Sequence, residues 1–521
     1  MVKSNVRVNV PGLSSFDKSF KNIFTTKVGT LTPMVSKLVI PGAKGKLKIS
    51  LSAALPPLAS DCFMRCDFKV EAFLVSMRLL YGGFESWLTG KELHNYADSS
   101  NVVAGIPRIV EAAGSSHPYF APGTLADYLG CRCDPNEVTS AWSYFSIWKF
   151  LAYHRIYDDW YRSARIQKPV FMQPVRMPAN SMEPSALPYT AWPSLVDLSL
   201  SALFADGVHI GDLRQRNWGD DYFTIATASP QVGSSRSVST SGGSFTINAL
   251  RAANSLQQFA ERSNLASPRL QDYVKAHYGA SLNSGVAQRA ILLGSASYPV
   301  YSKGVDSNST ISPTNNPFAS VGARYGSAFA SGTDFVCDFE CNEPSVLMVI
   351  GSLVPEANYS SGITMDNLLF VDNGSQVDLP DPLLENIGNE PISACELDGL
   401  MPQNPWGLVF GYVPKNTWYK TSQNEVHGLL RSGQSLASFI PQRDLSGTGP
   451  TIGSAFLQIP TTALDNVTAV TAALSTYGVW VDSFIDLKVA EPLVESAMPS
   501  LQDPAYEHGH GVTINVNGGH I

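Results

Sequence analysis

The sequence predicts a mainly β protein: an antiparallel β-sandwich of the jelly-roll kind, extended by long loops that contain several α-helices. Three observations predict it. Apolar and polar residues alternate at period two in several separate stretches, the mark of strands with one face buried and one wet. Charged residues make up only 15% of the 521, with 41 Gly and 34 Pro, whereas an ordinary globular domain carries roughly 25% charge. The strand-like stretches gather toward the two ends of the chain, and the clearest helical patterns lie between them.

Taken in order, Leu47, Ile49, Leu51 and Ala53 alternate with Lys48, Ser50 and Ser52, and Phe68, Val70 and Ala72 alternate with Lys69 and Glu71. A helix is predicted from Trp142 to Arg162, where Phe145, Trp148, Leu151 and Ile156 recur at helical spacing. A second, from Ile247 to Arg262, has the stripe Leu250, Ala253, Leu256, Phe259 and Ala260. A third runs from Pro268 to Tyr278. Ser267 stands as its N-cap, Pro268 in its first turn and Gly279 just past its end, with Leu270, Tyr273, Val274 and Tyr278 as the apolar side. Strands resume where Cys337, Phe339 and Cys341 alternate with Asp338 and Glu340, and where Ile485, Leu487 and Val489 alternate with Asp486 and Lys488. Val346–Val354 and Trp406–Val413 are denser runs, expected to be buried on both faces. Gly/Ser-rich pieces at Gly233–Ser244 and Lys303–Ser320 read as surface loops. A jelly roll accounts for this order, because its strands close one sandwich while its insertions build outer surface. The expected organisation is a basic arm and first-strand region over 1–50, one jelly-roll domain over 26–500 with a large helical insertion at about 84–330, and a tail over 501–521. In that tail Val512-Thr513-Ile514-Asn515-Val516 is a strand with nothing local to pair with. Two readings stand: it adds to a neighbouring subunit's sheet, or it is a disordered tail.

Hydrophobic residues are 44% of the chain, enough for a sizeable core, and the aromatic content opposes intrinsic disorder. The net charge is −8, but it is unevenly spread. Residues 1–50 hold nine bases and one acid, and the remainder holds 27 bases and 43 acids. A basic arm on an acidic body fits one face turned to a polyanion, or a solvated basic tail. Seven cysteines in so long a chain do not make a disulfide framework, and a reducing compartment fits them. The start, Met1-Val2-Lys3-Ser4-Asn5, shows no signal peptide, and no run reaches the roughly 18 apolar residues of a membrane span.

The chemistry-bearing residues do not converge. Cys62 and Cys66, and Cys337 and Cys341, are spaced four apart, which on a strand is roughly 13 Å, too far to share one ion. They read as buried thiols. Cys131 and Cys133 are too close for a zinc knuckle, and His508 and His510 sit in a Gly-rich tail with no orienting shell. His154 and His277 read as packed or capping residues. There is no G-x-S-x-G elbow and no P-loop. Asp158-Asp159 and Asp220-Asp221 read as solvated faces or intersubunit contacts; the first pair lies on a predicted helix, where neighbours point about 100° apart and cannot easily face one substrate. Arg214 and Arg216, beside Trp218, fit either a grip on phosphate with base stacking or an ion pair with Asp212, Asp220 or Asp221. No catalytic residue, metal ligand or cofactor site is assigned.

A set of ordered blocks resembles the major capsid protein family of the Microviridae. The blocks are Tyr157-Asp158-Asp159-Trp160-Tyr161-Arg162; Leu213-Arg214, then Asp221-Tyr222-Phe223-Thr224 and Pro230-Gln231; Leu250-Arg251 through Glu261-Arg262; Tyr273 to Gly279; and Phe410-Gly411-Tyr412, Tyr419-Lys420 and Val426-His427-Gly428 through Arg431. The resemblance spans roughly residues 142–500. It implies an eight-stranded viral jelly roll and a T=1 icosahedral shell built from copies of the chain. The partners it implies are an internal scaffolding protein, a DNA pilot protein and packaged circular single-stranded DNA, with no membrane. It also implies a virion location and assembly in the bacterial host cytoplasm. Gokushovirus-type members carry a long insertion after the Pro-Gln step that forms a threefold protrusion; here only Val232 to Thr246 separate Gln231 from the next helix, so a divergent subgroup is implied. On this reading Lys3, Arg7, Lys18, Lys21, Lys27, Arg214 and Arg216 are the candidate DNA-facing residues, releasing counterions without reading sequence. The competing class is a β-sandwich carbohydrate-binding protein or glycan-active enzyme using Trp and Tyr as platforms. A dedicated DNA-binding protein fits less well, because the body outside the arm is acidic.

Overall fold

A computed structural model describes residues 13–81, 118–131, 143–170, 206–229, 289–306, 324–369, 388–401, 408–447, 449–469 and 473–493, with shorter isolated elements between and beyond them. The chain opens with β1 (Ser4–Val10), β2 (Ser14–Asp17), β3 (Phe20–Thr26), β4 (Thr32–Val39), β5 (Lys44–Ala54) and β6 (Cys66–Ser76). Short strands follow: β7 (Leu93–Asn95), β8 (Ser100–Val102), β9 (Arg108–Glu111), β10 (Ser143–Ser146) and β11 (Leu195–Asp197). The remainder are β12 (Ile291–Asp306), β13 (Arg324–Glu340), β14 (Ser345–Pro355), β15 (Asn389–Ser393), β16 (Val409–Pro414), β17 (Val479–Glu491) and β18 (His510–Val516).

Nine of these strands make one antiparallel sheet in the order β2-β17-β5-β13-β12-β6-β14-β4, with β3 also paired to β17. The sheet curls because its two longest strands change partners along their length. The first half of β12 pairs with β6 and its second half with β13, which then passes on to β5. Bulges between Leu292 and Gly294 and between Phe335 and Cys337 sharpen the turn. The bulges touch: a Cβ on Gly294 would lie 2.1 Å from the Val336 carbonyl oxygen, so only glycine fits. One core fills the concave side, with Leu47, Ile49 and Leu51 from β5, Phe68 and Val70 from β6, and Val481, Ile485 and Leu487 from β17. The curl brings β3 round to β4, where Asn22 Nδ2 donates to the Met34 carbonyl at 2.9 Å and the Thr26 and Thr32 hydroxyls meet at 2.6 Å.

A second core covers the other face of β6 and β14. Phe73, Val75, Val346, Met348 and Ile350 pack there against Phe150, Leu151, Tyr153 and Ile156 of the Trp148–Ile156 helix. The Val346–Val354 run is therefore buried on both faces except at Val354, which is half-buried. Trp406–Val413 is not: of its described residues Leu408 and Val409 are exposed, while Phe410, Gly411 and Val413 are buried. The expected Trp142–Arg162 helix is also shorter than its pattern. Ser143–Ser146 is a strand paired with β9, and the helix begins at Trp148. It ends in a widened turn, where the Arg162 N–H donates to the Tyr157 carbonyl at 3.0 Å. A tertiary pairing partner overrode the helical spacing at Phe145. Leu270–Tyr278 is a helix as expected, closed by Gly279 at φ +66°. The Ile247–Arg262 helix and the Gly233–Ser244 loop fall outside the described residues, apart from helical positions 255 and 258–259. The first residues of the Lys303–Ser320 piece continue β12 instead of forming a loop. β18 does have a partner: it pairs antiparallel with β1, Val8 opposite Val512 and Val6 opposite Ile514. The strand has no local partner, but it is neither added to a neighbour's sheet nor disordered: its partner is the first strand of its own chain.

Candidate functional site

The densest polar constellation lies where the Trp148–Ile156 helix meets the sheet. An extended segment carries Arg214, Gln215 and Arg216 past Thr30, with Gln215 bridged to Thr30. Alternation sends the two arginines the other way, into the helix–sheet junction. Arg216 grips Glu71 of β6 with both terminal nitrogens, at 2.7 and 3.2 Å, and donates to Ser352 Oγ of β14 at 3.1 Å. Its guanidinium lies over the Tyr161 ring, and the Tyr161 hydroxyl donates to the same Glu71 carboxylate. Burial, together with that carboxylate, raises the Tyr161 pKa well above the usual value. Arg214 is only 4% exposed. Its Nε donates to His154 Nδ1 at 3.0 Å, its guanidinium pairs with Asp206 and stacks over Tyr157, and its backbone N–H donates to the Tyr153 hydroxyl at 2.8 Å.

This arrangement fixes the protonation of His154. Nδ1 accepts from Arg214, so Nε2 carries the proton and donates to the Ile210 carbonyl at 2.8 Å. Burial and then the Arg214 charge hold the imidazole pKa well below its usual value. A permanently neutral imidazole and tyrosines of raised pKa are poor proton carriers near neutral pH. The constellation stitches a helix to a sheet.

The paired carboxylates behave alike. Asp159 accepts from Arg155 Nε and the Ala290 N–H, both at 2.8 Å, and Asp158 from Arg162 Nε at 2.6 Å and the Val170 N–H at 3.1 Å. They are intrachain clamps and not solvated faces. Asp221 caps its own turn through the N–H groups of Phe223 and Thr224 and accepts from the Tyr359 hydroxyl at 2.6 Å. Elsewhere, Glu396 is buried against Tyr222 and accepts from the Ser393 N–H at 2.8 Å. Burial pushes its pKa up to about 7, and the nearby Glu390 adds to the effect. Glu390 is itself raised by burial, against the pull of Lys415 at 3.1 Å.

The described residues expected to face DNA differ in what holds them. Arg214 and Arg216 are occupied inside the subunit, and their carboxylates are Asp206 and Glu71, not Asp212, Asp220 or Asp221. Lys18 pairs with the buried Glu491 at 2.6 Å, Lys21 with the exposed Asp482 at 2.9 Å, and Lys27 is exposed. Lys3 and the side chain of Arg7 lie outside the described residues, as do Cys133 and His508. Of the six described cysteines, five are buried, and burial raises the pKa of each. His154 is packed as expected. Sequence reading missed Glu71 and Asp206, which no spacing links to the arginines. One open cavity of about 640 Å³ is bordered by Arg65, Asp67, Lys69, Asp220, Glu356 and Tyr359. Among the described residues no three His, Cys, Asp or Glu side chains are grouped to hold a metal.

Comparison with known proteins bears on a chain of this design. A family model described as capsid protein (F protein) matches residues 4–245 and 234–501. The two matched stretches overlap within the short segment that follows Gln231. Capsid protein VP1 of Chlamydia phage 1 is 25% identical over 566 aligned positions, which take in 88% of this chain and 91% of that protein.

Proposed function

Because this chain belongs to the capsid protein (F protein) family, the major capsid proteins of the Microviridae, we propose that identical copies of it close a T=1 icosahedral shell around circular single-stranded DNA. Its role is structural and not enzymatic, its assembly is a homo-oligomeric shell, and its place is the virion. The observation that carries the proposal is the family match across nearly the whole chain.

The architecture supports a viral jelly roll. Setting aside the short β2, the curled sheet divides into two four-stranded layers, β3-β17-β5-β13 and β12-β6-β14-β4. The convex face supports close packing between copies. Trp480 lies opposite Ala54, Ala54 opposite Phe329, and Phe329 opposite Tyr301, so an apolar row crosses four strands. Its three aromatic members are each about half exposed, which fits a surface that neighbours cover. The short segment after Gln231 argues for a subgroup without a large threefold protrusion.

An internal scaffolding protein and a DNA pilot protein are the further partners we propose, with assembly in the bacterial host cytoplasm. No described helix is long and apolar enough to cross a membrane. Of the candidate DNA-facing residues, Lys3, Arg7, Lys21 and Lys27 stay in the proposal. Lys18, Arg214 and Arg216 hold the subunit together through their ion pairs.

Electron microscopy of the purified chain with its scaffolding protein should show closed shells. A monodisperse monomer under every assembly condition would overturn the proposal. Lys21→Gln with Lys27→Gln should lower DNA content more than shell yield, and equal losses would remove those two lysines from the genome-facing set.

A further inference from the structure

The seam where β3 comes round to β4 holds a cavity of about 580 Å³. Two lysines border it from different elements: Lys37 from β4, and Lys149 from the Trp148–Ile156 helix. Lys37 is exposed, with its ammonium 5.0 Å above the Phe20 ring. Lys149 is half-buried and donates to the Leu129 carbonyl at 3.2 Å. Among the described residues neither has a carboxylate within ion-pair distance. Asp127, also at the cavity, is turned to the Gly123 N–H at 2.8 Å. Burial lowers the Lys149 pKa; the Cys131 thiol opposes it, and the repulsion of Lys37 adds a smaller lowering.

Two like charges around one cleft leave a place for an anion. Aromatic rings stand beside that place. Phe24 and Tyr128 meet edge to face at 6.3 Å between centroids, and the Tyr128 hydroxyl is fixed to the Thr25 carbonyl at 2.6 Å. A carboxylate from a protein partner would answer the lysines but not the rings; a phosphate joined to a base answers both. We propose that this seam cavity binds one nucleotide unit of single-stranded DNA, with its phosphate between Lys37 and Lys149 and its base against Phe24 and Tyr128. The proposal rests on the reading that the shell encloses single-stranded DNA.

The test is fluorescence anisotropy of a labelled ten-residue oligo-dT against the full-length subunit, across a salt series. K37Q/K149Q should weaken binding about tenfold, the loss of a charge-assisted contact, and should lower the salt slope by about 0.7. K37R/K149R should keep the affinity, and inorganic phosphate should compete. K37Q alone alters an exposed side chain, so a partial loss there shows the effect without a folding defect. Unchanged affinity and slope in K37Q/K149Q would overturn the site. So would loss of binding to a glutamate-rich peptide with DNA binding intact, which would assign the cavity to a protein partner. Shell formation is scored separately by electron microscopy: shells that form with DNA binding unaltered in the variant reject this site alone, whereas failure of the wild-type chain to form shells rejects the reading beneath it.

Discussion

Glu71 is the residue on which the helix–sheet junction converges, since it accepts from both Arg216 and Tyr161. Removing one partner of such a pair leaves the other charge in a poorly solvated place. Glu71→Gln should therefore destabilise the subunit by about 3 kcal/mol, measured as a shift in urea midpoint; a shift under a fifth of that would show the pair to be idle. Glu396 gives a pH signature. Its folded pKa, about 7, is above the 4.5 of an unperturbed glutamate, so between those values the folded chain keeps a proton that the unfolded chain has lost. Folding stability should then fall as pH rises from about 4.5 to about 7, by about 3 kcal/mol in all. Glu396→Gln should remove that part of the slope, and an unaltered pH profile would disprove the assignment. None of these partnerships was legible in the sequence. Glu71 appeared only as a polar member of an alternating strand, and Arg216 lies 145 residues from it.

At the scale of elements, the legible parts were those whose pattern is local. Leu47 to Ala53 and Ile485 to Val489 alternate because each strand has one wet face, whereas in Phe68 to Ala72 the polar positions Lys69 and Glu71 are half-buried; all three are strands of the sheet. Trp142–Arg162 was only partly legible, because Ser143–Ser146 takes its conformation from β9 and not from its own spacing. The touching bulges were not legible at all. Gly294→Ala should cost about 1–3 kcal/mol through its clash with the Val336 carbonyl; a neutral result by thermal melting would show that the sheet relaxes easily. The terminal ribbon makes a second prediction. Val8→Cys with Val512→Cys should cross-link within one chain on oxidation, since the two face each other in the register. Covalent dimers on a non-reducing gel would show instead that the ribbon forms between copies.

Across the whole molecule, the row of Trp480, Phe329 and Tyr301 is half-exposed, and the proposed shell assigns it to contacts between copies. Trp480→Ser with Tyr301→Ser should leave the subunit's stability within about 0.5 kcal/mol while lowering shell yield in electron micrographs. Undiminished shells would free that face for another role. The same scale explains why the chain reads as it does. Low charge and many Gly and Pro fit a subunit whose surface is largely covered by neighbours, and the long excursion between β6 and β12 carries the Trp148–Ile156 helix that covers the sheet's second face.

By itself the sequence determined the class of the fold and the family, because strand alternation, turn residues and the order of short blocks are properties of neighbouring positions. Only the tertiary structure decided what the charged groups do. Arg214 became a clamp beside Asp206 and His154, Lys37 came to share a cavity with Lys149, and the tail strand met the first strand of the chain. The reason is physical: a charge acts over a few ångströms of space, and the curl of the sheet decides which distant residues come within that range.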